Sequence, residues 1–363
     1  MIKSHLTNYL VPDNINGNWN YGFLLAMLLL LQIFSGILAA TIYSPYGGNA
    51  FESLLTLYVS KNIGWLVRYF HAVCVSIYFL VMYFHVTKGL SYSTRYIPWM
   101  WYTGWAILVL SIIIAFLGYT LPNGQMSFWG ATVILNLFYW VGDFVSLLMG
   151  GFSVESETLG RFYILHFSLP FVLLILVLIH IFYLHCQGST NPVINLDALL
   201  GERFLLNPAF CDLKCIIILF VGISLQIAYG ILPIFQGDHD NSIEANSSQT
   251  PEHIVPEWYL LVFYAALKLC PGKFAGLLAM IAIMELLVIL SEARAFAAIV
   301  SCAVHHRNWT TALSVVLPAL FILGSLGQIA INLYILKVGA YIICAVTCCI
   351  TRLLDLAIIE RVY

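Results

Sequence analysis

The chain has 363 residues, of which 61% are hydrophobic and only 9% are charged, and its mean hydropathy is +0.93. Soluble globular chains carry about 25% charged residues, so this composition excludes an ordinary soluble enzyme and an intrinsically disordered chain. The formal net charge of -2 leaves no basic surface for phosphate and excludes a nucleic-acid binder.

The apolar stretches predict an all-α polytopic membrane protein with about eight transmembrane helices, since each span needs about 20 apolar residues. An even number of spans places both termini on one side, and that side would carry nine of the 15 Lys and Arg residues. The positive-inside rule makes it the inner side of the membrane and the opposite side the outer one. The predicted spans are 21–43, 63–89, 100–121, 161–186, 215–233, 274–291, 310–327 and 332–351.

Four histidines lie inside two of these spans, His71 and His85 in the second and His166 and His180 in the fourth. Ionisable residues inside membrane spans are rare and are functional candidates by default. Both pairs are 14 residues apart, which puts the two rings of a span on one helix face. The rings are then about 21 Å apart along the helix axis. Two such helices that face each other would provide bis-histidine sites for two stacked haems.

The haems would be non-covalent b-type groups, because the sequence has no CxxCH attachment motif. A zinc site is a weaker interpretation, since zinc needs its ligands close together at one depth. A lone histidine in a span is as often a hydrogen-bonded packing residue. The alternative from another functional class is a haem-free multi-span transporter with a histidine proton relay, although we see no interrupted helices or inverted repeats.

Four glycines repeat the same spacing, Gly22 and Gly36 in the first span and Gly104 and Gly118 in the third. Glycine lets a helix backbone approach the face of a porphyrin closely. Small-residue helix packing is the alternative, but it does not predict the matching period. We therefore expect the first four spans to form a four-helix bundle around two haems.

Three cations near the histidines are candidate partners of the anionic haem propionates, which need positive charge in a dry site. Arg68 and Arg161 lie just before His71 and His166, the two histidines nearer the outer side, and would serve the outer haem. Lys88 follows the first inner histidine and would serve the inner haem. Cations that extend from helix ends toward water are an equally good explanation.

Several local strings, taken with these residues, resemble the cytochrome b family, the di-haem core subunits of quinol:cytochrome c oxidoreductase (respiratory complex III). The resemblance is strong from Trp19 to Lys273 and fainter beyond. The chloroplast-type relatives usually have a wider ligand spacing in the fourth span and a chain that is split before PEWY. The strings are LPNGQMSFWGATV (121–133), HFSLPF (166–171), FYLHCQGSTNP (182–192), GDHDN (237–241) and TPEHIVPEWY (250–259).

The resemblance implies that His71 and His166 ligate a low-potential haem on the outer side, and that His85 and His180 ligate a high-potential haem on the inner side. It also implies an outer quinol-oxidation pocket in which Glu257 and Tyr259 carry the proton chemistry. Burial raises the pKa of a carboxylate, so such a group can accept and release a proton near neutral pH. The other residues implied for this pocket are Phe116, Tyr119, Met126, Gly130, Pro256, Leu260 and Tyr264.

An inner quinone-reduction pocket is implied at His185 and Ser189. The family has an aspartate where this chain has Lys214, and Asp212 two residues earlier is the candidate replacement. Two further departures are Asn123, in place of the usual tryptophan, and Lys88, in place of the common arginine. Lysine keeps the positive charge but cannot form the two parallel hydrogen bonds of an arginine side chain.

The function that the resemblance implies is transmembrane electron transfer from quinol at the outer site to quinone at the inner site, coupled to proton translocation in a Q cycle. Ubiquinone would be the substrate, and the site would be the mitochondrial inner membrane. The implied partners are a Rieske iron–sulfur protein, a membrane-anchored c-type cytochrome, further complex III subunits, membrane lipids and a second copy in a homodimeric complex. We expect residues 1–208 to form the di-haem bundle and residues 209–363 to form the C-terminal region with the PEWY loop.

Overall fold

The computed structural model describes residues 9–59, 63–92, 98–190, 192, 201–204, 207–296 and 307–362. Eight helices in this part of the chain are long and apolar enough to cross a membrane, which confirms the predicted number and the predicted all-α polytopic fold. These are α1 (Tyr21–Ala40), α3 (Gly64–Ser91), α4 (Pro98–Thr120), α7 (Ser156–Gln187), α8 (Asn207–Tyr229), α10 (Lys273–Phe296), α11 (Arg307–Gln328) and α12 (Leu333–Val362).

Four shorter helices and one small ribbon were not predicted. The helices are α2 (Ala50–Val59), α5 (Gln125–Leu137), α6 (Asp143–Met149) and α9 (Leu261–Leu269). None of them is long enough to span a bilayer, so a search for long apolar stretches does not find them. The ribbon pairs β1 (Leu10–Pro12) with β2 (Gly201–Arg203) in antiparallel register.

The first four spans pack into the predicted bundle, with α1 against α3 and α4 against α7. Its core contains fully buried side chains of α1 and α3, among them Leu28 and Phe79. The same core cluster continues into the C-terminal half through Tyr259 and Phe263. The predicted division at residue 208 stays a prediction. One hydrophobic core contains residues from both sides of that position.

The C-terminal helices form a second packed group on the flank of this bundle. The helix α9 lies against α10 and α11, and α12 packs on the same two helices. Their core includes Leu290, Trp309 and Val316, together with Leu90 from the inner end of α3. This arrangement holds the loop that precedes α9 against the four-helix bundle, where Tyr83 of α3 donates a hydrogen bond to the Tyr259 carbonyl.

Candidate functional site

The structure brings together the two histidine pairs that the spacing predicts. The ring centroids of His71 and His166 are 6.1 Å apart, and those of His85 and His180 are 6.4 Å apart. One metal ion between two imidazole nitrogens, at about 2 Å from each, separates the two ring centres by roughly 6 Å. Both pairs therefore have the separation that one shared metal ion would require.

The second ring nitrogen of three of these histidines is held by a neighbouring group. The Nδ1 atom of His166 is 2.8 Å from the carbonyl oxygen of Ile114, which can only accept. Nδ1 therefore carries the proton, and the Nε2 lone pair is free for a metal; such support is typical of metal-ligating histidines. Two more contacts of this kind join His71 Nδ1 to Ser35 Oγ at 2.9 Å and His180 Nδ1 to Thr103 Oγ1 at 3.0 Å.

Each of the four predicted glycines lies against one of the four histidine rings. A Cβ atom on Gly36 would lie 3.1 Å from a ring carbon of His71, and one on Gly118 would overlap the ring of His166. Because the paired helices are antiparallel, the 14-residue spacing of the histidines is copied in the glycines of the neighbouring helix. The other two contacts are Gly22 with His85 and Gly104 with His180. The glycines thus leave room for the imidazoles, and their predicted approach to a porphyrin stays a prediction.

A cavity of about 450 Å³ opens around the outer histidine pair. His71 and His166 line it, and so does Arg68, which is placed to meet an anionic group beside that pair. Most of the remaining lining is apolar, which suits a flat hydrophobic cofactor. The residues present therefore fit a haem at this pair.

The other two predicted propionate partners are placed differently. Arg161 donates a hydrogen bond from Nη1 to the carbonyl of Leu147, on α6. The Nζ atom of Lys88 lies 4.1 Å from the ring centroid of Trp19, and Lys88 lines a second cavity. Arg68 lines the cavity of the outer histidine pair, whereas the cavity that Lys88 lines has none of the four histidines among its described lining residues.

Glu257, Tyr119 and Tyr259 line the same cavity as the outer histidines. Burial raises the pKa of Glu257 to about 7, with a smaller contribution from nearby Asp238, while Arg68 opposes the shift. The hydroxyl of Tyr119 is buried and has no hydrogen-bond partner within the described residues. The cavity therefore offers an ionisable carboxylate and an uncommitted hydroxyl in an apolar setting.

Tyr259 is fixed by the helix that carries two of the histidines. Its ring stacks on Phe79 with a centroid distance of 4.2 Å and an interplanar angle of 4°, and its carbonyl accepts a hydrogen bond of 2.5 Å from Tyr83. Burial raises the pKa of Tyr259 far above its usual value, so its hydroxyl stays protonated. Sequence reasoning missed Phe79 and Tyr83, because nothing in their spacing points to the PEWY loop.

The other predicted outer-pocket residues do not line this cavity. The hydroxyl of Tyr264 donates to the carbonyl of Ile254 at 2.7 Å, so this residue holds the loop that leads to PEWY. Those outside the lining are Phe116, Met126, Gly130, Pro256, Leu260 and Tyr264.

A hydrogen-bonded contact joins the acidic loop, residues 230–257, to the start of α5. Asn241 Oδ1 accepts from the backbone N–H of Ser127 at 2.8 Å and from its hydroxyl at 2.7 Å. Asn123 has a positive φ of 54°, and its carbonyl accepts from the N–H of Ala245. Asparagine is one of the few residues that tolerate this left-handed conformation. The loop that carries Glu257 is thereby tied to the helix bundle at a second point.

The predicted inner-site residues lie near the ribbon. The ring centroids of Tyr9 and His185 are 4.3 Å apart, and the Tyr9 and Ser189 hydroxyls are 3.1 Å apart. Asp212 is buried and accepts a hydrogen bond of 2.5 Å from Asn20 at the start of α1. Tyr9 and Asn20 could not be predicted as part of this site, since neither belongs to a matching motif.

Comparisons with known proteins agree with this geometry. The family model described as cytochrome b/b6/petB matches residues 6–188, and the C-terminal cytochrome b/b6/petD model matches residues 244–346. The chain is 50% identical to a cytochrome b of Theileria parva over 355 residues, which covers 98% of each chain. It is 45% identical to a cytochrome b of Plasmodium vivax over 300 residues, which covers 83% of this chain and 78% of the relative.

A solved structure of a hyperthermophilic respiratory complex III contains a chain with the same fold. The TM-score is 0.83 at 24% sequence identity, and the match covers 100% of this chain and 96% of the other. The likeness extends over all eight spans, including the fainter C-terminal part of the motif resemblance.

Proposed function

This chain belongs to the cytochrome b family and is an electron-transfer core subunit of quinol:cytochrome c oxidoreductase, and we propose that it carries two b-type haems, one at each histidine pair. The observation that carries the proposal is the pair of ring separations, 6.1 and 6.4 Å, at two depths of one bundle. Bound there, the haems would supply one-electron transfer across the bilayer. The protein contributes the ligand orientation, the dry setting and the positive charge of Arg68.

The outer cavity is proposed as the quinol-oxidation pocket. Glu257 accepts a proton from the quinol hydroxyl, since its pKa of about 7 lets it both take up and release a proton near neutral pH. The free hydroxyl of Tyr119 binds the substrate's other polar atoms, and the apolar lining excludes water. The protonated hydroxyl of Tyr259 is a second donor in the same cavity.

His185, Ser189 and Asp212 are proposed as the quinone-reduction site on the inner side. His185 lies at the end of α7, where an imidazole can hydrogen-bond a quinone oxygen and pass on a proton. Tyr9 connects the ring of His185 with the hydroxyl of Ser189, and burial raises the pKa of Tyr9. The hydrogen bond from Asn20 keeps Asp212 in place next to the start of α8, two residues before Lys214.

The multi-pass chain is proposed to act in the mitochondrial inner membrane with ubiquinone as its substrate. Its proposed partners are a Rieske iron–sulfur protein and a membrane-anchored c-type cytochrome on the outer side, further complex III subunits and a second copy of the chain. The support is the family membership and the fold shared with a respiratory complex III. The coupling to proton translocation follows from quinone pockets on opposite sides of the membrane.

The decisive experiment is a dithionite-minus-ascorbate difference spectrum of the purified complex, with the haem quantified as pyridine haemochrome. We expect two b haems per chain. One haem or none would overturn the proposal, and none would favour the alternative of a histidine-relay transporter.

A further inference from the structure

One carboxylate lies deep inside a membrane span and belongs to none of the sites described above. Glu285 is in α10, whose apolar membrane-crossing part is Lys273–Glu292. This helix is the sixth span, so it runs from the outer to the inner side of the membrane. Glu285 is seven residues before the inner end, which places it about 10 Å below the inner surface. A glutamate side chain is too short to reach water from that depth.

Glu285 lies on the side of α10 that the described part of the chain leaves uncovered. On one flank, Leu286 and Leu290 are buried in the core of the C-terminal helices. On the other flank, Met280 and Met284 pack against the core that continues into the four-helix bundle. Residues four and seven positions from Glu285 share its helix face. These residues are exposed, namely Leu278, Ile281 and Ile289. We refer to them, together with Ala282 and Glu285, as the Glu285 face.

The carboxylate of Glu285 has no partner in the part of the chain that the structure describes. No hydrogen bond or ion pair from a described residue reaches it. A charged group in hydrocarbon is costly unless it is paired, and neither the neighbouring apolar side chains nor lipid acyl chains can pair with it. The Glu285 face therefore requires a cation from outside this chain, at the same depth in the membrane.

The Glu285 face has the dimensions of one transmembrane helix. The exposed side of α10 extends from Phe274 to Ile289, a rise of about 22 Å along the helix axis. Ala282, one turn before Glu285, is exposed and small. Small residues let the backbone of a neighbouring helix approach closely within the membrane.

A second copy of this chain does not meet the requirement of the Glu285 face. A two-fold contact brings the same face of both chains together. The sequence has no lysine or arginine between Lys273 and Arg294, so such a contact would place two carboxylates side by side in hydrocarbon. The partner is therefore a different chain.

We propose that the Glu285 face binds one transmembrane helix of another subunit of the complex. This helix carries a lysine or arginine about 10 Å below the inner surface, where its charge pairs with Glu285. The proposal rests on the proposed assembly of the chain with further complex III subunits.

The first test removes the carboxylate in the variant Glu285→Leu. The matched control is Thr347→Leu in α12, another polar residue within a span, whose hydroxyl donates to the Ile343 carbonyl of its own helix turn. Each complex is extracted in dodecyl maltoside and purified, and its subunits are quantified by intact-protein mass spectrometry.

We expect the Glu285→Leu complex to retain about tenfold less of one single-span subunit than the wild type and the Thr347→Leu control. The physical reason is that truncating one member of a buried charge pair leaves the other member unpaired. The span of the lost subunit should contain a lysine or arginine. Full retention of every subunit would overturn the proposal, and so would a lost subunit whose span has no basic residue.

A charge exchange tests the pairing itself. Glu285→Lys should also lose the subunit, and so should a glutamate in place of the partner's basic residue. The two changes together should restore its retention, because the pair is then formed with its charges reversed. A double variant that retains no more of the subunit than either single variant would contradict the pairing.

The second test fills the Glu285 face without changing a charge, so it applies even if Glu285→Leu fails to fold. Ala282→Phe places a ring where the partner helix should approach, and Ala345→Phe at an exposed position of α12 is its control. The same subunit should be lost from the Ala282→Phe complex alone. Equal retention in the two variants would overturn the proposal.

These outcomes are distinct from a failure of the proposed function. If the wild-type chain purifies without any further membrane subunit, both the proposed assembly and the role of the Glu285 face are wrong. If the wild-type complex contains such subunits and both Glu285→Leu and Ala282→Phe retain all of them, only the role of the Glu285 face is wrong.

Discussion

Glu257 sits in the loop before α9, where burial raises its pKa to about 7. If its ionised form takes the quinol proton, the oxidation rate follows the ionised fraction. The wild-type rate should then rise as the pH rises through about 7 and level off above it. Glu257→Gln cannot titrate, so it should lose this rise and be about a hundredfold slower on the plateau. The measurement is a pH series of quinol:cytochrome c reductase rates.

The control for this prediction is quinone reduction at the inner site. That site lies at the end of α7 that carries His185, away from the outer histidine His166. Its rate should be nearly unchanged in Glu257→Gln. Equal slowing at both sites would mean that the substitution damages the fold and would contradict the role given to this carboxylate.

Tyr83 reaches from α3 to the PEWY loop through its hydrogen bond to the carbonyl of Tyr259. Tyr83→Phe removes this bond and keeps the ring. A hydrogen bond of this kind contributes about 1 kcal/mol, so we expect quinol oxidation to fall about fivefold in kcat/KM. The matched control is Tyr102→Phe, which removes a hydrogen bond from Tyr102 on α4 to Glu292 on α10, and neither residue lines the outer cavity.

Steady-state quinol titrations would measure both tyrosine variants. A loss at the outer site in Tyr83→Phe alone supports a positioning role. If the two variants lose the same activity, the effect comes from general loosening of the helix packing, and the positioning role is wrong.

At the scale of elements, the helix pairs approach closely because glycine faces imidazole. A Cβ atom at Gly118 would overlap the His166 ring, so Gly118→Ala must push α4 and α7 apart, at a cost of about 1–3 kcal/mol. We expect loss of most of the outer haem, seen in the difference spectrum, with the inner haem retained. Gly222→Ala in α8 is the control, since a Cβ atom there meets nothing within 4 Å.

An unchanged outer haem in Gly118→Ala would show that the helices relax around the new methyl group. Loss of both haems in the Gly222→Ala control would show instead that an added methyl group disturbs haem binding even in a helix outside the bundle. Either result would remove the argument that the glycine spacing exists for the imidazoles.

The long spans could be predicted from the sequence because the bilayer sets their length and composition. The amphipathic α2 and the helix α9 could not, since their apolar runs are too short to be distinguished from loop segments. The ends of the long helices also differ from the prediction, as α7 begins at Ser156 and not at 161. Helix caps such as the Glu155–Thr158 capping box set that end, and a hydropathy count does not register them.

At the scale of the whole molecule, the pairing of histidines followed from one number, the 14-residue spacing, because helix geometry is regular. The contacts of the acidic loop did not follow, since Ser127 and Asn241 are far apart in sequence and are joined only by the folded chain. The motif resemblance includes both strings, 121–133 and 237–241, but it does not predict that they are in contact. The role of Arg161 was likewise open, because a long side chain near a helix end has several carbonyls within reach.

The two histidine pairs differ in whether they line the same cavity as Glu257, and this difference can be tested. His166 lines the same cavity as Glu257, whereas His180 lies on the inner side of the bundle and does not line it. His180→Leu should therefore abolish the inner haem while the outer haem and quinol binding at the outer site are retained. His166→Leu should remove the outer haem and also weaken quinol binding, because the empty space joins the quinol pocket. Difference spectra with a quinol-analogue titration would measure both effects. Equal losses of quinol binding in the two variants would contradict the continuity of the haem and quinol sites on the outer side.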